Sequence, residues 1–276
     1  MTHPNGQTTH YILDDYTDPW TTPETILIQH GFARHSAFWY KWIPVLAKHY
    51  RVIRRDARGH GFSSAPSRPK GDEYVYDIDT ILDEIVDTLN ALKVDKVHYL
   101  GESTGGIWGE FLAAKFPERV ASLTICASPL YMPASAQEML AFGHASWPEA
   151  CREMGSRGWG EALVGILGAD KLGEEYLSWW LEQVGVADGG ALGDHAELLC
   201  GSAFDARRVM GRIKCPMFLL SPGNSRLVDL AEQRELCSAV EGTRMEVIEG
   251  FAHEIYIDQA EVCQEKYLVF LSSLHD

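Results

Sequence analysis

A serine becomes an acyl-transfer nucleophile only when a base, two amide donors and a strained backbone surround it, and one stretch of this chain suggests that setting. Gly101-Glu102-Ser103-Thr104-Gly105 follows Lys96 to Leu100, which reads as a short strand, and precedes Gly106 to Lys115, which reads as a helix running up to Pro117. Strand, Gly-x-Ser-x-Gly, helix is the layout of a sharp turn that holds a serine hydroxyl out above a sheet. The glycines are needed because the turn is strained and the crowded backbones leave no room for Cβ atoms. A serine hydroxyl is a poor nucleophile at neutral pH unless a base removes its proton during attack. Of 11 histidines, His253 is the one placed for that work, because it follows the last expected strand and so lies at the same sheet edge as Ser103.

The elements that must position these groups read as strands alternating with helices. Thr25 to Gln29 is a short apolar run ended by His30-Gly31, the pattern of a buried strand. Phe38 to Lys48 carries apolar residues at helical spacing. Tyr50 to Arg54 is a second strand, closed by Asp56-Ala57-Arg58-Gly59-His60-Gly61-Phe62-Ser63, and Ser63 to Gly71 is rich in turn formers. Asp77 to Leu92 alternates acidic and apolar residues with helical period, as an amphipathic surface helix does. Val120 to Cys126 is a further strand. Such alternation predicts an α/β fold, a mostly parallel, doubly wound sheet covered on both faces.

From about Leu130 to Ala206 helical segments follow one another, heavy in tryptophan (Trp147, Trp159, Trp179, Trp180) and broken by glycine. The alternation then resumes with Met217 to Leu220, a helix from Asp229 to Val240, Met245 to Ile248, and a last helix from Gln259 to Leu274. This pattern divides the chain into a core of residues 1–129 and 207–276 and a helical cap of residues 130–206. The cap is expected over the carboxyl ends of the strands, where ligands bind in such sheets.

Composition narrows the function. A chain of 276 residues with a net charge of −15 has nothing to neutralise phosphates, which argues against nucleic acid. No stretch reaches the length of a membrane-spanning helix, and the start lacks the basic and apolar segments of a signal peptide, so a cytoplasmic protein is expected. Six scattered cysteines show neither Cys-x-x-Cys pairs nor zinc spacing. No phosphate-binding loop or metal constellation is visible, so neither cofactor nor metal is expected.

Four marks stand in order at strand ends: His30-Gly31-Phe32, Asp56-x-Arg58-Gly59-x-Gly61-x-Ser63, Gly-x-Ser103-x-Gly and Gly250-Phe251-Ala252-His253. With them the chain resembles the α/β-hydrolase-fold superfamily, and within it serine esterases and lactonases with a helical cap. The resemblance implies that Ser103 attacks a carbonyl carbon and that His253 takes its proton. The oxyanion would be held by the backbone N–H groups of Thr104 and Phe32. His30 is expected to be structural. Epoxide and haloalkane hydrolysis on this fold use an elbow aspartate, so Ser103 points instead to a small-molecule ester or lactone, with apolar or aromatic bulk to match the cap's tryptophans.

The third member departs from the family pattern. Laid on the family's usual run, the acid position after Met217 to Leu220 falls on Ser225, and the alternative position, Ala127-Ser128-Pro129, also lacks a carboxylate. Three readings stand open. Ser225 holds the histidine as a neutral acceptor; Asp229 or another carboxylate swings in, although Asp229 also suits a helix N-cap; or the fold binds a ligand with little turnover. A cofactor-independent oxygenase or lyase is a further alternative. Arg34, Phe32, Phe38 and Trp147 are candidate pocket residues, with Arg34 either meeting a substrate carboxylate or solvated on its loop. Trp108 is expected in the core.

Overall fold

A computed structural model describes residues 1–65 and 76–275. The strands are β1 (Tyr11–Asp14), β2 (Thr25–Gln29), β3 (Arg51–Arg55), β4 (Val97–Glu102), β5 (Val120–Cys126), β6 (Met217–Pro222) and β7 (Arg244–Ile248). The helices are α1 (Ile43–Leu46), α2 (Ile78–Ala91), α3 (Thr104–Lys115), α4 (Ala134–Leu140), α5 (Trp147–Leu167), α6 (Glu174–Val184), α7 (Gly189–Cys200), α8 (Leu230–Ala239), α9 (Ile255–Asp258) and α10 (Ala260–Ser272). Among the described residues the sheet has seven strands in the order β1-β3-β2-β4-β5-β6-β7. All neighbours are parallel except β1, which runs antiparallel to β3 at the edge.

The central strands β2, β4 and β6 are buried along their whole length, as strands covered on both faces must be. α3 packs on β4 and β5 with almost no amphipathic character, because nearly every side chain from Thr104 to Ala113 is buried. Trp108 lies in this core against Phe204, ring centroids 4.5 Å apart. Gly109 lets the helix close on the sheet, since a Cβ there would overlap the Tyr99 ring.

One sequence expectation needs correction, and one strand went unread. β1 carries no alternation strong enough to be read. The helix expected over Phe38 to Lys48 is two short pieces, a 3₁₀ turn at Ser36–Trp39 and α1, because Pro44 has no N–H to continue a longer helix. Ser63 to Ala65 of the expected Ser63 to Gly71 loop are described, and the remainder lies outside the described residues.

Helices α4 to α7 form an insertion between β5 and β6. Its glycines do more than break helices. A Cβ on Gly189 would sit 2.7 Å from the Cys151 carbonyl and 2.8 Å from Gly155 Cα, and one on Gly193 would sit 3.0 Å from the Pro148 carbonyl. These two residues, one turn apart on α7, let it lie directly on α5. The real interruption is Gly155, whose φ of 69° and ψ of 167° kink α5 in its middle.

Candidate active site

Ser103 sits at the junction of β4 and α3 with φ 50° and ψ −127°, a strained conformation for a residue with a Cβ. Its neighbours explain how the turn survives. A Cβ on Gly101 would lie 2.5 Å from the Gly105 carbonyl oxygen, and one on Gly105 would lie 2.5 Å from the backbone oxygens of both Gln29 and His30. The Ser103 N–H donates to the Cys126 carbonyl at 2.9 Å, and the Ser128 hydroxyl donates to the Ser103 carbonyl at 2.7 Å. The end of β5 thus braces the turn and aims the hydroxyl away from the sheet.

His253 reaches that hydroxyl from the loop between β7 and α9, with Nε2 3.1 Å from Ser103 Oγ. The loop is tied at several points. The Phe251 N–H donates to Asp258 Oδ2 at 2.5 Å, and Asn224 Nδ2 donates to the Phe251 carbonyl at 3.0 Å, joining the histidine loop to the loop after β6. On that second loop Ser225 Oγ lies 3.1 Å from His253 Nδ1 and accepts the Leu227 N–H at 3.1 Å. Ser225 Oγ keeps a second lone pair after accepting the Leu227 N–H, so it has room to accept from Nδ1–H; in that tautomer a bare Nε2 faces Ser103. Burial and the nearby Arg34 guanidinium lower the His253 pKa to about 3, so the ring is neutral at physiological pH.

Asp229 stands elsewhere. It is exposed and accepts the Ala231 N–H at 2.8 Å as the N-cap of α8. The carboxylate nearest His253 among the described residues belongs to Glu102, whose Oε1 lies 3.9 Å from Nε2. Glu102 was part of the Gly-x-Ser-x-Gly stretch but carried no signal of its own, because the motif leaves that position free. Its Oε2 accepts the Gly31 N–H at 2.7 Å. Burial, opposed by Arg34, pushes its pKa up to about 7.

The loop after β2 brings Phe32 beside Ser103. His30 holds it from below: Nε2 accepts the Ala57 N–H at 2.8 Å, which leaves Nδ1 to donate to the Gly31 carbonyl at 2.7 Å. Burial drives the His30 pKa well down, consistent with that neutral role. Among the described residues no hydrogen bond takes up the N–H of Phe32 or of Thr104. Thr104 opens α3, where the first-turn amides have no partner within the helix.

Arg34 is not solvated on its loop. It is buried, with Nη2 2.7 Å from Glu254 Oε1, and Trp180 Nε1 donates to the same carboxylate at 3.1 Å. Its guanidinium also lies 4.5 Å from the Trp180 ring centroid, so the pair ties the loop after β2 to the insertion. Phe38 packs against Trp179 at 5.1 Å, away from the serine.

Ser103, His253, Glu102, Phe32, Thr104, Arg34 and Leu227 share one cavity with Met132 and with Leu140, Trp147, Trp159, Leu163 and Leu167 of the insertion. Phe32 meets Trp147 at 4.6 Å and Trp159 at 5.2 Å, both edge-on. The cavity volume is about 40 Å³, enough for a water or two but far below the several hundred Å³ of ordinary ligand pockets.

Comparison with known proteins shows the family and the fold. A family profile described as alpha/beta hydrolase fold matches residues 24–260. The 3-oxoadipate enol-lactonase 2 of Acinetobacter baylyi is 26% identical over 242 residues, 86% of this chain and 84% of that protein. The pimeloyl-acyl-carrier-protein methyl ester esterase of Aeromonas hydrophila is 34% identical over 111 residues, 40% of each. The first curated relatives are matched over only 35–42% of their own length. Among solved structures, the enol-lactonase of Burkholderia xenovorans LB400 superposes with a TM-score of 0.85 at 24% identity, covering 97% of this chain and 98% of that one. No helix among the described residues is long and apolar enough to cross a membrane.

Proposed function

The chain belongs to the alpha/beta hydrolase fold family, and on that premise we propose that it hydrolyses a small-molecule carboxylic ester or lactone through an acyl-Ser103 intermediate. The observation that carries this reading is the line Ser103 Oγ, His253 Nε2, His253 Nδ1, Ser225 Oγ, with 3.1 Å at each end. As Ser103 Oγ forms a bond to the carbonyl carbon, its proton passes to Nε2 and the carbonyl π electrons move to oxygen. The unused N–H groups of Phe32 and Thr104 receive that oxyanion. Collapse expels the alkoxide, which takes the proton from the imidazolium. Water then repeats the sequence on the acyl-enzyme, with His253 as base and then acid.

Ser225 acts here as a neutral third member that keeps the proton on Nδ1. It stabilises the imidazolium less than a carboxylate does, which favours esters whose leaving groups need little protonation. Residues 130–206 act as the cap, and its Trp147 and Trp159 give the substrate an apolar, aromatic wall.

The test is turnover of p-nitrophenyl butyrate by wild type and by Ser103→Ala. Release of p-nitrophenolate by the first that disappears in the second is the expected result; equal rates sink the proposal. The neutral Ser225 favours one rival reading, a ligand-binding member with little turnover. Absence of hydrolysis in both proteins across a panel of esters and lactones would select it.

A further inference from the structure

The Nδ1 side of His253 meets a hydroxyl, so the positive charge that forms on the ring during attack has no partner there. On the other side one carboxylate is built into the site. Glu102 is only 3% exposed, lies 3.9 Å from His253 Nε2, and is fixed by the Gly31 N–H at 2.7 Å. Among the described residues no other carboxylate comes within 4 Å of His253. We propose that Glu102 supplies the counter-charge for the His253 imidazolium that a carboxylate on Nδ1 would otherwise provide, while its second oxygen positions the oxyanion loop. The inference rests on the hydrolase reading above and makes Glu102 a positioning and charge-compensating residue.

The local charges leave this task to Glu102. Arg34 also faces it, but that guanidinium is engaged by Glu254 at 2.7 Å, and Glu254 in turn receives the Trp180 N–H. Tyr256, from α9, and Cys126, at the end of β5, also interact electrostatically with Glu102, and burial holds both protonated and uncharged. As Ser103 Oγ bonds to the carbonyl carbon, its proton moves to Nε2 and Glu102 stays a carboxylate. It accepts no proton and breaks no bond. The imidazolium is therefore formed beside an anion when Glu102 is ionised and beside a neutral acid when it is not. With the Glu102 pKa raised to about 7, its carboxylate form, and with it the rate, grows as pH rises through neutrality.

Glu102→Gln separates charge from position, because the amide oxygen still accepts the Gly31 N–H. For wild type, kcat/KM on p-nitrophenyl butyrate is expected to climb through about pH 7 to a plateau. Glu102→Gln is expected to lose that climb and to fall roughly tenfold to a hundredfold below wild type at pH 8.5. Ser225→Asp placed in the Glu102→Gln background is expected to restore most of the loss, by moving the counter-charge to Nδ1. A Glu102→Gln profile that overlays wild type overturns the proposal, as does a loss of the same factor at every pH, the signature of a purely structural role.

A second measurement needs neither turnover nor Glu102→Gln. The His253 ring resonances of wild type, assigned by their absence from His253→Asn, are expected to shift through an inflection near pH 7 as the neighbouring carboxyl ionises. The absence of that inflection overturns the charge coupling. An inflection without ester hydrolysis supports the coupling and removes only the hydrolase reading.

Discussion

Residue 225 is where this site is weakest. In the proposed mechanism a neutral hydroxyl holds the His253 tautomer but leaves the imidazolium without a formal charge on that side, and in serine proteases loss of the corresponding carboxylate costs about 10⁴ in kcat. Ser225→Asp is therefore expected to raise kcat/KM by about tenfold or more, less than that full factor because Glu102 already carries part of the compensation. An unchanged or lower rate in the folded variant counts against the alignment of Ser225 with Nδ1. Gly31 supplies a second residue-scale prediction. A Cβ there would lie 2.6 Å from Glu102 Oε2 and 2.8 Å from Ser103 Cβ, so Gly31→Ala must push the oxyanion loop off its anchor. Displacing one oxyanion donor typically costs about 3–4 kcal/mol of transition-state stabilisation, which predicts a loss of two to three orders of magnitude in kcat. Ester kinetics beside a urea melt will show whether activity falls further than stability.

At the scale of elements, what could be read in the chain was what repeats and what punctuates. β2, β4, β5 and β6 are apolar runs closed by turn formers, and the Gly-x-Ser-x-Gly stretch sits where strand gives way to helix, so the sheet and the turn that carries Ser103 were legible together. Ser225 was found because the family's usual run, laid on the loop after β6, puts its acid position there. Glu102 was not, since nothing in its spacing distinguishes a carboxylate facing the base from one facing solvent. The Arg34–Glu254 pair escaped for a related reason: 220 residues separate the partners, and no local period links them. Glycine in the insertion was legible only as punctuation, although its two uses differ physically. Gly189 and Gly193 bring α7 onto α5, whereas Gly155 has open space where its Cβ would be and a φ of 69° that an L-residue rarely adopts. Gly155→Ala is thus expected to destabilise by about 1–2 kcal/mol through backbone strain alone, seen as a lower urea midpoint with an unchanged m-value. A midpoint equal to or above that of wild type would mean that the kink relaxes into regular helix without cost.

Over the whole molecule the same burial that builds the site makes stability depend on pH through neutral histidines. His30, His60, His195 and His253 are all buried among the described residues. Burial lowers His60 to about 4 and His253 to about 3, and drives His30 and His195 well below the ordinary value. His195 also meets the Tyr76 hydroxyl at 2.5 Å and the His60 ring at 4.6 Å, so the insertion is held to the core partly through these rings. Each takes up a proton near pH 6.5 when the chain unfolds but not while it is folded. Their contribution is complete above pH 6.5 and shrinks as pH falls from there toward the folded-state values. Glu102 and Glu110 act in the opposite sense, because burial raises both; folded, they keep protons that the unfolded chain has lost above about pH 4.5. Burial lowers His3, His35 and His98 as well, and raises Glu232 and Asp258 on the other side, so the histidines outnumber the carboxyls and the unfolded state binds more protons than the folded one near pH 5.5. Stability from urea melts is therefore expected to drop by a few kcal/mol between pH 7 and pH 5.5. His195→Gln should flatten part of that slope, since it removes one of the titrating rings at the seam between insertion and core. A flat profile over this range, or one that rises toward acid, would mean that these histidines reach water.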